Sequence, residues 1–336
     1  MYVYFSKDAE GQNTIPRACI VDNKDQGITE VRGIIFTEEV SQHLDSYITP
    51  VVQEKLKTIQ NGEKWQDRLE DMSTLSSLHL KHLRKERFIK DDLVFLYEID
   101  HIIEETGNGR DPRIAELRKD RNVEEDMLTI FDTTHDQIAH APSEITENTK
   151  AYVGKLEPGI FQKLPETLEH VYISFPEKKI RRESVEIGGK SNEQLISEMV
   201  ATGITISDCA KSMMDDPDFV VGSSREEIKL VRLTVADLGF KTGATTDQIY
   251  ERAIALGLEL CPPDTGPNYR LQYQDQPLGE RVRIGMKQIT DSDGNLCVFS
   301  LERDGGGLWL DNPWAEPGRK WDPGYKCVFR FRKVEA

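Results

Sequence analysis

Apolar and polar residues alternate along the first 37 positions, in MYVYF, IPRACIV and VRGIIF, and the polar segments KDAEGQN and DNKDQG separate the three runs. A period of two places alternate side chains on one face, which predicts a small antiparallel sheet. From Glu38 to about Arg121 the period becomes helical. It is clearest in DDLVFLYEIDHIIEE, where Phe95, Leu96, Ile99, Ile102 and Ile103 recur on one face and Asp100, His101 and Glu104 fall on the other. Gly107 and Gly109 then supply a stop, and Pro112 opens the next short helix.

Between about Asp132 and Lys150 the periodicity is lost, and APSEITENTK has the composition of a connection. Beyond it VYISF and IRRESVEIG read as strands. Ser191 and Gln194 then have the spacing of a capping box that opens a helix. After VGSSREE come a strand in KLVRLTV, a helix in TTDQIYERAIALG boxed by Thr245 and Gln248, and a strand in LELCP. From Tyr269 onward YRLQY, RVRIGMKQI, LCVFSLE, GLWLDN and KCVFRFR all read as strands, with turns at SDGN and DGGG. The pattern predicts an α+β fold in three regions. Residues 1–140 form a short sheet followed by an acidic helical part, 151–222 a mixed α/β part, and 226–336 a β-rich C-terminal domain with one well-marked helix, its sheet expected to be antiparallel.

Length and charge sharpen this division. A chain of 336 residues exceeds what one core serves, so several domains are expected. Residues 225–336 hold 16 Lys and Arg against 17 Asp and Glu, so −15 of the total −16 falls on residues 1–224. Such acidity disfavours nucleic acid as a partner, because phosphate backbones are bound by clustered cations. The basic runs Lys81–Arg87 and Arg330, Arg332, Lys333 read as solvated faces. Neither a signal peptide nor an apolar run long enough to span a bilayer is evident, which points to a cytoplasmic protein and no membrane partner. Cys19, Cys209, Cys261, Cys297 and Cys327 are odd in number and never spaced CxxC, as expected of buried reduced thiols.

The segments GATTDQIYERAIALGLELCPP, GPNYRLQYQDQPLGE and GLWLDNPWA resemble a recurrent C-terminal part of an uncharacterised bacterial protein family, and DDLVFLYEID with DPRIAELR is similar to its helical part. The resemblance runs from Asp91 onward. It implies a bacterial cytoplasmic protein and carries no activity, cofactor or catalytic residue.

Several residue sets could carry chemistry. His101 precedes the His135-Asp136 pair by 34 residues, the opening of the HD-type metal phosphohydrolase pattern, in which imidazole and carboxylate ligands hold a divalent ion. The further aspartate such a site needs does not occur between Asp136 and Asp208. Glu98 and His101 form a single Glu-x-x-His, and carboxylate-bridged metal bundles need two. His79 and His82 lie beside Lys81, Arg84 and Lys85, a poor place for a cation. Asp291–Asn295, DSDGN, begins like a calcium loop but has its glycine two positions early, which favours a hairpin turn. Residues 235–254 align with a helix-turn-helix whose second helix would present Thr245, Thr246, Asp247 and Gln248, an unsuitable set for a polyanion.

Trp309, Trp314, Trp321 and Tyr325 fall within 17 residues, interleaved with Pro313, Pro317 and Pro323. Aromatic rings give large contact area at small entropic cost and are favoured in recognition surfaces. The expected function is therefore non-catalytic binding of a protein or small-molecule ligand through this aromatic loop, with no cofactor. A metal-dependent phosphohydrolase using His101, His135 and Asp136 is the alternative, and a DNA-binding regulator a more distant one.

Overall fold

The computed structural model describes residues 1–23, 27–33, 48–59, 62–103, 111–165 and 168–331. The chain divides into two compact units, Met1–Thr133 and Thr134–Ala336. The fold is α+β, with a small antiparallel sheet at the N-terminus. No helix among the described residues is long and apolar enough to cross a membrane.

The first unit contains strands β1 (Tyr2–Lys7), β2 (Asn13–Asn23) and β3 (Gly27–Gly33), followed by helices α1 (Thr49–Leu56), α2 (Gly62–Leu83), α3 (Lys90–Leu96), α4 (Pro112–Arg118) and α5 (Val123–Phe131). The strands form the expected antiparallel sheet in the order β1-β2-β3. Its buried face, Ala18, Ile20, Ile28 and Val31, packs with Val52 and Leu56 of α1 and Trp65 and Leu69 of α2. The Trp65 indole donates to the Ile28 carbonyl at 3.2 Å, satisfying the one polar atom that ring buries.

The long helix expected over 91–105 ends at Leu96, earlier than its periodicity suggests. Glu98 takes a left-handed φ of 53°. Its carboxylate accepts the Ile103 N–H at 3.0 Å and pairs with Arg118 at 3.0 Å. Arg118 also donates to the Leu96 carbonyl at 2.9 and 2.6 Å, so a cation from α4 satisfies the helix end. Gly107, Gly109 and Glu104 lie outside the described residues. Pro112 does open α4, with Asp111 capping the Arg113 N–H at 2.9 Å.

The second unit contains β4 (Ile138–Ala139), β5 (Ala151–Val153), α6 (Ile160–Lys163), β6 (His170–Tyr172), β7 (Arg181–Ile187), α7 (Asn192–Ala201), β8 (Thr205–Ile206), α8 (Asp208–Asp215), β9 (Glu226–Thr234), β10 (Ala244–Thr245), α9 (Thr246–Ala255), β11 (Leu258–Glu259) and α10 (Thr265–Gln272). It continues with β12 (Arg281–Ile284), β13 (Ile289–Thr290), β14 (Leu296–Cys297), β15 (Ser300–Asp304), β16 (Gly307–Asp311), β17 (Lys320–Trp321) and β18 (Lys326–Phe331). Its main sheet has the order β7-β9-β18-β12-β15-β16-β8, so strands from both 151–222 and 226–336 share one sheet and one core. That sheet is mixed where an antiparallel one was expected: β12 runs parallel to β18, and β16 parallel to β8. Both capping boxes form, Ser191 with Gln194 on α7 and Thr245 with Gln248 on α9.

YRLQY, expected as a strand, belongs to helix α10. Its alternation does not follow burial: Tyr269, Arg270 and Tyr273 are buried, while Leu271 is half-buried and Gln272 exposed. Arg270 donates to the side chain of Gln276 and the carbonyl of Tyr273, which makes burial of a cation on this helix tolerable. Gly266 lets α10 approach β15's lead-in: a Cβ there would lie 2.6 Å from the Phe299 Cβ.

Candidate functional site

Strand pairing in the second unit brings distant residues to one place. Val282 and Ile284 of β12 point into the core, so Arg283 between them faces the other way. β12 runs parallel to β18 with Arg283 opposite Cys327, which puts Arg283 beside Tyr325 at the lead-in to β18. The segment after β16 is held by the Cys297–Trp314 bridge and by the Ala315 N–H donating to Leu296 at 2.8 Å. β17 pairs with β10, Trp321 opposite Ala244. Gly243 permits that pairing, since a Cβ there would sit 2.5 Å from the Trp321 carbonyl oxygen.

These segments enclose a cavity of about 280 Å³ lined by Arg283, Asn312, Pro313, Trp314, Arg319, Lys320 and Tyr325. Trp314 is 51% exposed and Tyr325 37%. The guanidinium carbon of Arg283 lies over Tyr325 and over Trp321, and that of Arg319 lies 5.6 Å from the Trp314 ring centre. Among the described residues no carboxylate lines the cavity. Among the described residues no ion pair is made by Arg283, Arg319 or Lys320; Glu302, on the neighbouring strand β15, attracts Arg283 but is engaged by Arg281 at 2.9 Å and by Ser300 at 2.8 Å. Burial outweighs that attraction and holds the Arg283 guanidinium below its usual pKa.

Of the four aromatic residues singled out in sequence, Trp314 and Tyr325 line this cavity. Trp321 is 1% exposed and lies under Arg283. Trp309 sits on the β15–β16 hairpin, where its indole donates to Asp304 at 2.9 Å. The cations were not part of the sequence reading: Arg283 is remote in the chain, and only the β12–β18 pairing supplies it.

The histidine and carboxylate sets are placed as follows. In the first unit, His101 lies 2.9 Å from Asp71 and lines a cavity of about 220 Å³ with Asp91, Val94, Phe95 and Asp100. Because α3 stops at Leu96, Glu98 and His101 do not share a helix face, and Glu98 is committed to Arg118. In the second unit, His135 and Asp136 open a single 3-10 turn, and the Thr134 hydroxyl holds the Asp136 carboxyl below its usual range. On α2, His82 is exposed, and His79 Nδ1 is buried without a hydrogen-bond partner among the described residues.

Lys81 pairs with Asp92 at 2.7 Å and Arg330 with Glu226 at 3.5 Å. Arg332 and Lys333 lie outside the described residues. DSDGN forms the β13–β14 hairpin turn, with the Asp293 and Asn295 N–H groups donating to Asp291. Among the described residues, Cys209, Asp291 and Asp293 form the one group of three whose potential metal-ligating atoms lie within 4.8 Å of one another. The residues aligned with a first DNA-binding helix, 235–239, form a turn.

Two further groups bear on chemistry. Buried Arg232 pairs with Glu183 at 2.9 Å and Glu280 at 3.1 Å, and it donates to the hydroxyls of Tyr269 and Tyr273, whose rings stack at 5.5 Å. Burial would raise the Glu280 carboxyl, but hydrogen bonds from Lys326 and Tyr273 and the charge of Arg232 hold it below the usual range. Burial pushes the Cys297 and Cys327 thiols up to about 12, so they stay protonated at neutral pH and are poor nucleophiles. Four of the five cysteines are buried, and none is disulfide-bonded.

No family model, no curated protein and no solved structure matches the chain.

Proposed function

We propose that the protein is a non-catalytic binding protein whose contact surface is the aromatic loop of its C-terminal β region, and that it takes a negatively charged ligand there. One observation carries this reading: three cations that make no ion pair among the described residues, Arg283, Arg319 and Lys320, line a cavity together with two partly exposed rings. In a chain with 59 acidic and 43 basic residues, cations are readily neutralised by neighbours. Keeping carboxylates out of the cavity wall leaves the attraction of these three available to a ligand. The rings supply contact area. Bacterial origin and a cytoplasmic setting accompany the reading, the latter suited to reduced cysteines.

The test is tryptophan fluorescence of the full chain titrated with inorganic phosphate, sulfate and simple carboxylates. A saturable change that weakens with rising salt and is lost on Arg319→Gln with Lys320→Gln is expected. An unchanged signal with every anion would remove the reading, and a ligand recovered chemically altered would remove its non-catalytic part.

A further inference from the structure

The geometry points to a phosphate monoester carried on a planar ring as the ligand of this cavity, an inference that rests on the binding reading above. The Arg283 guanidinium carbon is 3.8 Å from the Tyr325 ring centre and 4.6 Å from that of Trp321, so its flat faces are taken up by rings. The N–H donors of a guanidinium lie in its plane and form a fork that matches two oxygens of a phosphate or carboxylate. What Arg283 offers a ligand is therefore that edge.

Charge separates the two anions. A carboxylate brings one negative charge, whereas a phosphate monoester brings about −1.5 to −2 near neutrality and three acceptor oxygens. Three cations around one cavity match the larger charge and the larger number of acceptors. The exposed Trp314 ring lies beside Arg319 and presents a π-face to whatever the phosphate is attached to. At about 280 Å³ the cavity is at the small end of ligand sites, room for one ring and one phosphate. Two sources share this chemistry: a free nucleoside monophosphate, and a tyrosine phosphate.

The experiment is calorimetric titration of the full chain with a nucleoside 5′-monophosphate, phosphotyrosine, the parent nucleoside, inorganic phosphate and benzoate. One of the two ring phosphates should bind at least about tenfold more tightly than nucleoside or inorganic phosphate, and which one does so names the source. Trp314→Ala should bring its affinity down to that of inorganic phosphate. Arg283→Gln should bring it down to that of the unphosphorylated ring. If Arg283→Gln does not fold by circular dichroism, Arg319→Gln with Lys320→Gln, both exposed side chains, carries the comparison.

Inorganic phosphate binding as tightly as either ring phosphate would overturn the ring while leaving the anion reading intact. Benzoate binding as tightly would overturn the phosphate. A single-stranded oligonucleotide without terminal phosphate binding equally well would overturn the monoester. Absence of binding by every anion would end both this inference and the reading beneath it.

Discussion

The Arg283 guanidinium lies over the Tyr325 ring, its carbon 3.8 Å from the ring centre, although the two residues are 42 positions apart in the chain. Pairing of β12 with β18 makes the contact. It stabilises a cation that burial disfavours, without neutralising it, and so preserves its charge for use. Arg283→Met should therefore change stability by less than about 1 kcal/mol, the lost cation–π contact offsetting the relieved desolvation. Urea unfolding measures this. A loss above about 2 kcal/mol would mean that Arg283 is a structural clamp.

Arg232 is the opposite case. Buried between Glu183 and Glu280, it joins two carboxylates that each have a second cation, Arg181 and Lys326, both at 2.6 Å. Arg232→Met should cost about 1.5 to 3 kcal/mol in chemical denaturation, the charged hydrogen bonds it forfeits, because both carboxylates keep a cation. A cost under about 1 kcal/mol would show that the network contributes little.

That network also sets an acid dependence. The Glu280 carboxyl is held below its unfolded value of 4.5, so the unfolded chain binds its proton first as pH falls. The stability it contributes is complete above about that value and is lost as pH drops through the lower folded pKa. Glu280→Gln should flatten the acid limb of the stability curve relative to the parent; an identical slope below pH 4.5 would contradict the assignment.

Asp264 runs the other way. It is wholly buried, and its Oδ2 accepts N–H groups of Gly188 at 3.1 Å and Gly222 at 3.3 Å, yet desolvation raises its pKa above 3.8. Its stabilising contribution is full below that value and is lost as pH rises through the raised folded pKa. Asp264→Asn retains an acceptor for both amides and removes the charge. Its stability relative to the parent should improve between pH 4 and pH 7, as read by denaturant midpoints at the two values. A constant difference would refute the shift.

Gly266 tests the seat of α10. Gly266→Ala places a methyl 2.6 Å from the Phe299 Cβ, so it should cost about 1 to 3 kcal/mol despite the better helix propensity of alanine. A stabilised variant would show that the helix can retreat from the sheet.

What the sequence disclosed was local. The boxes Ser191 with Gln194 and Thr245 with Gln248 join residues three apart, and both helices begin where those pairs predict. The N-terminal sheet was legible because its strands alternate over a half-buried face, although β3 spans Gly27–Gly33, four residues ahead of the run at Val31, whose Ile34–Phe36 lie outside the described residues. Where tertiary partners decide, the reading failed. YRLQY mimics a strand because α10 is buried on several sides, and only the bonds of Arg270 to Gln276 and Tyr273 mark it as a helix carrying a buried cation. The repeat through Ile103 suggests a longer α3, but Arg118, 22 residues beyond Leu96, closes it. The aromatic loop was visible as a cluster of rings with Arg319 and Lys320 among them, whereas the third cation, Arg283, arrives through strand order, for which the residues carry no local sign.

The borders of the main sheet have a bearing on how the chain behaves among copies of itself. At one border stands β8, two residues long, and at the other β7, whose Arg181, Arg182, Glu183 and Glu186 put charge along the outermost strand. A stray strand seeking unpaired amides finds too short a ladder on one side and costly desolvation of side chains on the other. An eight-stranded sheet built this way resists growing by accretion and keeps its hydrogen bonds to itself.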